Sequence, residues 1–394
     1  MSRVIETGPQ ANMEKTVTNS TNTITKEAVT PLRVCLICIE LFGDSIYGGF
    51  GRATRYIGRE LVHRGHQVSI VVPRRSPDLP DRYELDGMRV WQYTPSRPWE
   101  AVKILRHINA QIYHSQDTSL TTFLAQIASP HAKHIITFRD PMDKHDWRIE
   151  TLWAGMPRID WKQYQIFIDN PLVNIAVRRS DTLCCAAPFL VDKTQAIHGL
   201  QTKPGFLATP VNVPVAVAKA NEPTVCFVGR WEGRKRVELF FELARQFPHV
   251  QFIAMGGARD QERDASLRKI YSGIENIQMT GVLDQFADQA GWSNVMSTSW
   301  ILVNTSLREG LPTTFVEATA HRCAILSCTD PDGFATRFGR YSKEGHLAQD
   351  LQWLMEADHW RELGKAGYRY VSEIYRTEKA MDDHERLYRD LVSI

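Results

Sequence analysis

Short, almost unbroken apolar runs recur along the chain, and each gives way to a polar or glycine-rich loop and then to a helical pattern. Residues 32–39 and 67–72 are two such runs in the first half. Residues 224–229, 250–257, 300–304 and 323–328 are four more in the second. A strand buried on both faces has this continuous pattern, and such strands belong to parallel sheets covered by helices on both sides. The fold class is therefore α/β. Because both halves repeat the plan, two α/β sheets facing each other across a cleft are expected, with ligands at the carboxyl ends of the strands.

A length of 394 residues agrees with two or three domains. The expected divisions are a tail at 1–30, a first domain at 31–212, a second at 213–375 and a closing helical segment at 376–394. The tail is rich in Thr, Asn, Ser and Glu and has no apolar core, so it reads as disordered rather than as a signal peptide. A net charge of +2 gives no bulk attraction to nucleic acid. Seven scattered cysteines argue against a disulfide framework or a zinc knuckle and agree with a reducing cytoplasm. No apolar run approaches the ~18 residues of a membrane span. Aromatic and basic residues mix over 146–180, including Trp147, Trp153, Trp161, Arg148 and Arg178. This reads as helix packing with a solvated edge, or as a face toward a membrane surface or an acceptor.

Three loops at strand ends carry candidate chemistry. In residues 308–318, Glu309 falls in a loop after the strand at 300–304, and Pro312 suits the first position of the helix that carries Glu317. A helix start offers free N–H groups and partial positive charge to an anion, with Gly310 and Leu311 supplying N–H donors just before it. Carboxylates on either side would accept from hydroxyls flanking a phosphate, the layout of a nucleotide sugar. Arg230 and Lys235, beside Gly229 and Gly233, outline a diphosphate clamp, in which Arg grips with two parallel bonds and Lys acts as a point charge. In the first half, Gly49 and Gly51 precede a helix through about His63. They read as a dinucleotide fingerprint lacking its third glycine (Thr54 stands there), as a loop letting backbone approach a diphosphate, or as a tight turn.

Taken together, Arg230-x4-Lys235 and Glu309-x7-Glu317 resemble the motifs of glycosyltransferase family 4, the retaining, nucleotide-sugar-dependent enzymes of the GT-B fold with two Rossmann-like domains. The Gly48-Gly49 loop, the segment with His114 and Gln116, the strand at 179–186 and residues 210–214 match more loosely. The resemblance spans about residues 32–390. It implies a first, acceptor domain, a second, donor domain, and a last helix crossing back onto the first. It implies sugar transfer from a UDP- or GDP-sugar to a carbohydrate or lipid-linked acceptor hydroxyl, as in polysaccharide biosynthesis, with no metal or other cofactor. The implied setting is cytoplasmic, with room for peripheral contact at the inner membrane face. It further implies that Arg230 and Lys235 hold the diphosphate, Glu317 accepts from the ribose, Glu309 from the donor sugar, and Gly49 and Gly51 let the first domain close. Where many members carry a histidine near the reacting sugar, this chain has Arg139-Asp140; Asp140 is then a candidate base and Arg139 a candidate anion ligand. Residues 329–334 also lack the usual Gly-Gly. A nucleotide-sugar epimerase on the same plan and a donor-binding protein without transferase activity are the rival readings.

Overall fold

The apolar runs become strands whose side chains are buried on both faces. In the computed structural model, which describes residues 30–43, 48–76, 78–153, 170–343 and 345–393, the first half builds β1 (Arg33–Ile37), α1 (Gly49–His63), β2 (Gln67–Pro73), β3 (Arg82–Leu85), β4 (Met88–Tyr93), α2 (Trp99–Ile108) and β5 (Ile112–Gln116). It continues with α3 (Leu120–Ala128), β6 (Lys133–Phe138), α4 (Lys144–Trp153), α5 (Pro171–Arg179), β7 (Thr182–Cys185), α6 (Leu190–His198) and β8 (Gly205–Phe206). The sheet order is β3-β4-β2-β1-β5-β6-β7-β8, parallel except for β3 against β4. Residues 1–29 of the expected tail lie outside the described residues, as do Trp161 and its neighbours in the aromatic–basic stretch.

Two features of this half escaped the sequence reading. The β3–β4 hairpin turns through Asp86 and Gly87, both at positive φ (51° and 77°), the Asp-Gly pair that a tight two-residue hairpin requires. Cys35 and Cys38 have Cys-x2-Cys spacing, yet both are buried in or just after β1, where burial holds the Cys35 thiol far above its ordinary range.

The second half forms β9 (Thr224–Val228), α7 (Val237–Gln246), β10 (Gln251–Met255), α8 (Gln261–Tyr271), β11 (Ile277–Gly281), α9 (Gln289–Thr298), β12 (Ile301–Asn304) and α10 (Thr313–Ala320). β13 (Ala324–Ser327), α11 (Phe334–Phe338), β14 (Gly339–Tyr341), α12 (Leu347–Met355), α13 (His359–Ile374) and α14 (Thr377–Val392) complete it. Its sheet runs β11-β10-β9-β12-β13-β14, all parallel, with one apolar core on each face.

The last helix leaves the second sheet and packs on the first. Met381 and Tyr388 of α14 are fully buried in the core that holds Val34, Leu36 and Ile57. Arg64 at the end of α1 pairs with Asp382 and Glu385 at 2.6 and 2.8 Å. The Tyr388 hydroxyl and His114 Nδ1 lie 2.7 Å apart in a buried hydrogen bond, and His114 Nε2 meets Thr137 Oγ1 at the same distance. His114, aligned by resemblance with a site histidine, therefore clamps α14 and does not open to the cleft. Tyr388→Phe strands the buried imidazole nitrogen, so we expect a loss of about 1–3 kcal/mol in urea unfolding; an unchanged midpoint would show that this bond contributes nothing.

Candidate active site

Two strand ends of the second sheet bring the donor-site candidates together. After β9 the chain makes a single 3-10 turn, Gly233–Lys235, and passes through Arg236 at φ 47° before α7 begins. Helix α7 therefore starts at Val237, two residues beyond Lys235. The turn is tied to the loop after β12: Thr305 Oγ1 donates to the carbonyls of Lys235 and Arg236 (2.6 and 3.0 Å), and Leu307 N donates to Arg234 O (3.0 Å). That stitching sets the Lys235 ammonium against the Glu309 carboxylate, to which Asn304 Nδ2 also donates at 3.3 Å. Burial alone would raise the Glu309 pKa, but Lys235 and Arg234 outweigh it and hold it at about 2. The Lys235 ammonium is pulled below its ordinary value, first by burial and then by Arg234 and Arg230, against the pull of Glu309. Arg230 is half-buried, with Glu232 at 3.5 Å as its acidic neighbour. Three cations thus converge at these two strand ends, with Glu232 beside Arg230, Glu150 beside Arg234 and Glu309 beside Lys235.

Helix α10 opens beside this cluster. Pro312 is its cap, not its first helical residue, with extended backbone (φ −62°, ψ 127°). Gly310 sits against the first domain; a Cβ there would stand 3.0 Å from Arg139 O and 3.1 Å from Asp140 Oδ1. Leu311 packs against the apolar groups of both domains. Across the cleft, a Cβ on Gly49 would lie 3.6 Å from Thr313 Oγ1, so the starts of α1 and α10 face each other. Gly51 has a different reason: a Cβ there would press within 2.7 Å of Phe42 N. The Gly51 N–H already donates to Glu40 Oε1 at 3.2 Å, so a carboxylate from the end of β1 occupies the start of α1.

Glu317 lies one turn inside α10 in a cavity of about 230 Å³, lined by both domains and by residues 209–212 between them. Burial raises its pKa to about 7 despite Arg52, whose Nη2 is 2.8 Å away. A larger cavity of about 390 Å³, with Trp300 and Trp360 in its wall, sits at the opposite end of β12 and includes none of these residues.

The first domain closes on the site through a charge network that the sequence reading missed. The Arg308 guanidinium bonds both carboxylate oxygens of Asp140 and reaches Asp146 Oδ1 (2.9 Å) and Glu150 Oε1 (3.1 Å). Arg234 meets Glu150 at 3.0 Å, and Lys193 pairs with Asp146. Asp140 is therefore the counter-ion of Arg308, and to act as a base it would first have to leave that guanidinium. Arg139, read as a candidate anion ligand, is buried instead, donating to Gln116 Oε1 and to Thr209 Oγ1 (2.8 Å). Arg308 is adjacent to Glu309 and Arg52 to Gly51, the one sequence signal that would have drawn attention to either.

The model of the family described as Glycosyltransferase Family 4 matches residues 47–205, and that described as Glycosyl transferases group 1 matches residues 222–357. No curated protein sequence matches the chain. Among solved structures, the sucrose-phosphate synthase of Thermosynechococcus elongatus is 16% identical with a TM-score of 0.69, covering 91% of this chain and 99% of its own. Anabaena HepE, solved with UDP-glucose, is 13% identical with a TM-score of 0.63, covering 91% and 100%. The catalytic domain of starch synthase IV from Arabidopsis thaliana, bound to ADP and acarbose, is 14% identical with a TM-score of 0.56, covering 93% and 100%. With one glycosyltransferase family model on each α/β half and the fold of these enzymes throughout, the chain belongs to the GT-B glycosyltransferases.

Proposed function

We propose that this protein is a retaining glycosyltransferase that moves a sugar from a nucleoside diphosphate sugar to an acceptor hydroxyl, without a metal. The observation that carries the reading is the cluster of Arg230, Arg234 and Lys235 around Glu309, in the loop that leads into α10, the helix that carries Glu317. Bonds from Arg230 and Lys235 to the diphosphate strengthen as negative charge grows on the leaving group, and this difference between transition and ground state accelerates the reaction. The C1–oxygen bond to the diphosphate breaks with its electron pair leaving on phosphate. The acceptor oxygen bonds C1 from the same face, and its proton passes to the departing phosphate oxygen. Glu309, ionised over the whole physiological range, accepts from donor-sugar hydroxyls, and Glu317 accepts from the ribose. The UDP-glucose held by HepE and the ADP held by starch synthase IV support a nucleotide donor. We extend the reading to a carbohydrate or lipid-linked acceptor. Among the described residues no helix is long and apolar enough to cross a membrane, so contact with a lipid-linked acceptor would be peripheral.

A thermal-shift panel of UDP, GDP and ADP and their glucose, galactose and mannose conjugates tests the donor site. A ligand that binds the folded state at a hundred times its Kd stabilises it by about 2.7 kcal/mol. The expected result is a shift with one base that Glu317→Ala removes. A folded wild type that responds to none of them rejects the assignment. Nucleotide release that depends on added acceptor, with an unchanged anomeric configuration by NMR, establishes retaining transfer. Release of an altered free sugar instead indicates an epimerase, and binding without any release indicates a binding protein.

A further inference from the structure

The donor residues discussed so far all come from the second domain, yet the cavity beside Glu317 is completed by the first. Arg52 stands in the first turn of α1 and is buried (7% exposed). Its guanidinium crosses the cleft to α10, where Nη2 donates to Thr313 Oγ1 at 2.5 Å and approaches Glu317 Oε2 at 2.8 Å. Thr313 and Glu317 are one turn apart on the same face of α10, so one planar group spans both. The Trp292 ring backs the guanidinium, with its Cζ 5.2 Å from the ring centroid. No other cation touches the Glu317 carboxylate, and no other hydrogen bond reaches it, among the described residues. We propose that Arg52 is a positioning residue for the nucleotide: its contact from the first domain presents Glu317 to the ribose diol as a carboxylate, so that ribose recognition requires the closed cleft. This inference rests on the nucleotide-sugar reading and gives that reading a part in the opposite domain.

The physical reason is the cost of a buried charge. A carboxyl group in this cavity titrates at about 7 even with Arg52 beside it, because burial outweighs the ion pair. A protonated acid offers the ribose a poorer acceptor and a competing donor. The other titratable groups around Glu317 do not replace Arg52. On α1, Arg55 and Arg59 lie over the Phe286 ring, and the Tyr56 hydroxyl is bonded to Thr377. On α10, His321 Nδ1 is bonded to the Glu317 backbone carbonyl, and burial keeps the ring toward its neutral form. Before α9, Asp284 lies 3.9 Å from Arg55 and pairs with that residue.

The test measures affinity for UDP, GDP and ADP by calorimetry from pH 6.5 to 8.5, for wild type, Arg52→Met, Arg52→Lys and Arg52→Met/Glu317→Gln. Loss of the cation raises the Glu317 pKa by about one unit or more. The Arg52→Met penalty should then be about five-fold at pH 7 and shrink below two-fold at pH 8.5, with Arg52→Lys close to wild type. Against the 2′,3′-dideoxy form of the same nucleotide, and in the Glu317→Gln background, the penalty should vanish. A penalty that is constant with pH, or that persists with the dideoxy nucleotide, means that Arg52 acts on phosphate or on packing, and overturns the inference while leaving the donor site standing. Wild type binding none of the three nucleotides overturns both.

Discussion

Lys235→Ala is expected to lower nucleotide-sugar turnover by about 100- to 1,000-fold, the range seen when one preplaced electrostatic group is removed from a developing anion. The same change leaves Glu309 buried without its partner. The side chains are 16% and 9% exposed, so the loss is that of a largely buried pair, about 3–5 kcal/mol. The two effects separate in the double variant. Lys235→Ala with Glu309→Ala removes both charges and should recover much of the stability without recovering turnover. Urea unfolding and nucleotide-release assays on the three proteins check this. Turnover that returns with stability in the double variant would reduce Lys235 to a structural counter-ion. The Glu309 carboxylate gives no pH switch near neutrality. Glu309 has its pKa depressed from 4.5 to about 2, so its contribution to stability is present above 4.5 and is lost only as pH falls through about 2.

Arg308→Met should release the first domain from the second. Arg308 is 5% exposed, and its charge is shared among Asp140, Asp146 and Glu150 of the opposite domain. Burial works against the charged guanidinium, but these carboxylates, Asp140 foremost, hold its pKa above the ordinary arginine value. Removing it strands Asp140, while Asp146 keeps Lys193 and Glu150 keeps Arg234, and we expect a cost of about 3–5 kcal/mol. We also expect a cleft that opens in solution, seen as a radius of gyration above the ~21 Å of a compact chain of this length. Because Gly310 and Leu311 sit against the first domain through this network, donor affinity should fall as well. Small-angle scattering and calorimetry on wild type and variant provide the check. An unchanged radius together with unchanged affinity would show that apolar packing around Leu311 alone holds the domains.

Much of this architecture was legible before any coordinates. The continuous apolar runs gave the strands to within a residue or two, because a strand buried on both faces has few other ways to be written. The Glu309-x7-Glu317 and Arg230-x4-Lys235 spacings fell where the strand–loop–helix rhythm puts them, since each pair lies within one such unit. The β3–β4 hairpin was missed although Asp86-Gly87 announces it; the run at 82–85 is short, half-exposed and not apolar.

Tertiary structure alone decided which charges meet. Arg52 finds Thr313 across 261 positions, and Arg308 finds Asp140 and Glu150 across 168 and 158. Nothing local favours one of the 47 cations over another for such a contact. Placement in the closed cleft also changed the meaning of residues that the sequence had singled out. Asp140 became a counter-ion, Arg139 a buried strut between Gln116 and Thr209, and His114 a clamp for the last helix. Local sequence sets backbone periodicity and loop chemistry within one strand–helix unit. The partner, burial and charge of a side chain at a strand end depend on which surface docks over it, and that surface comes from the other domain.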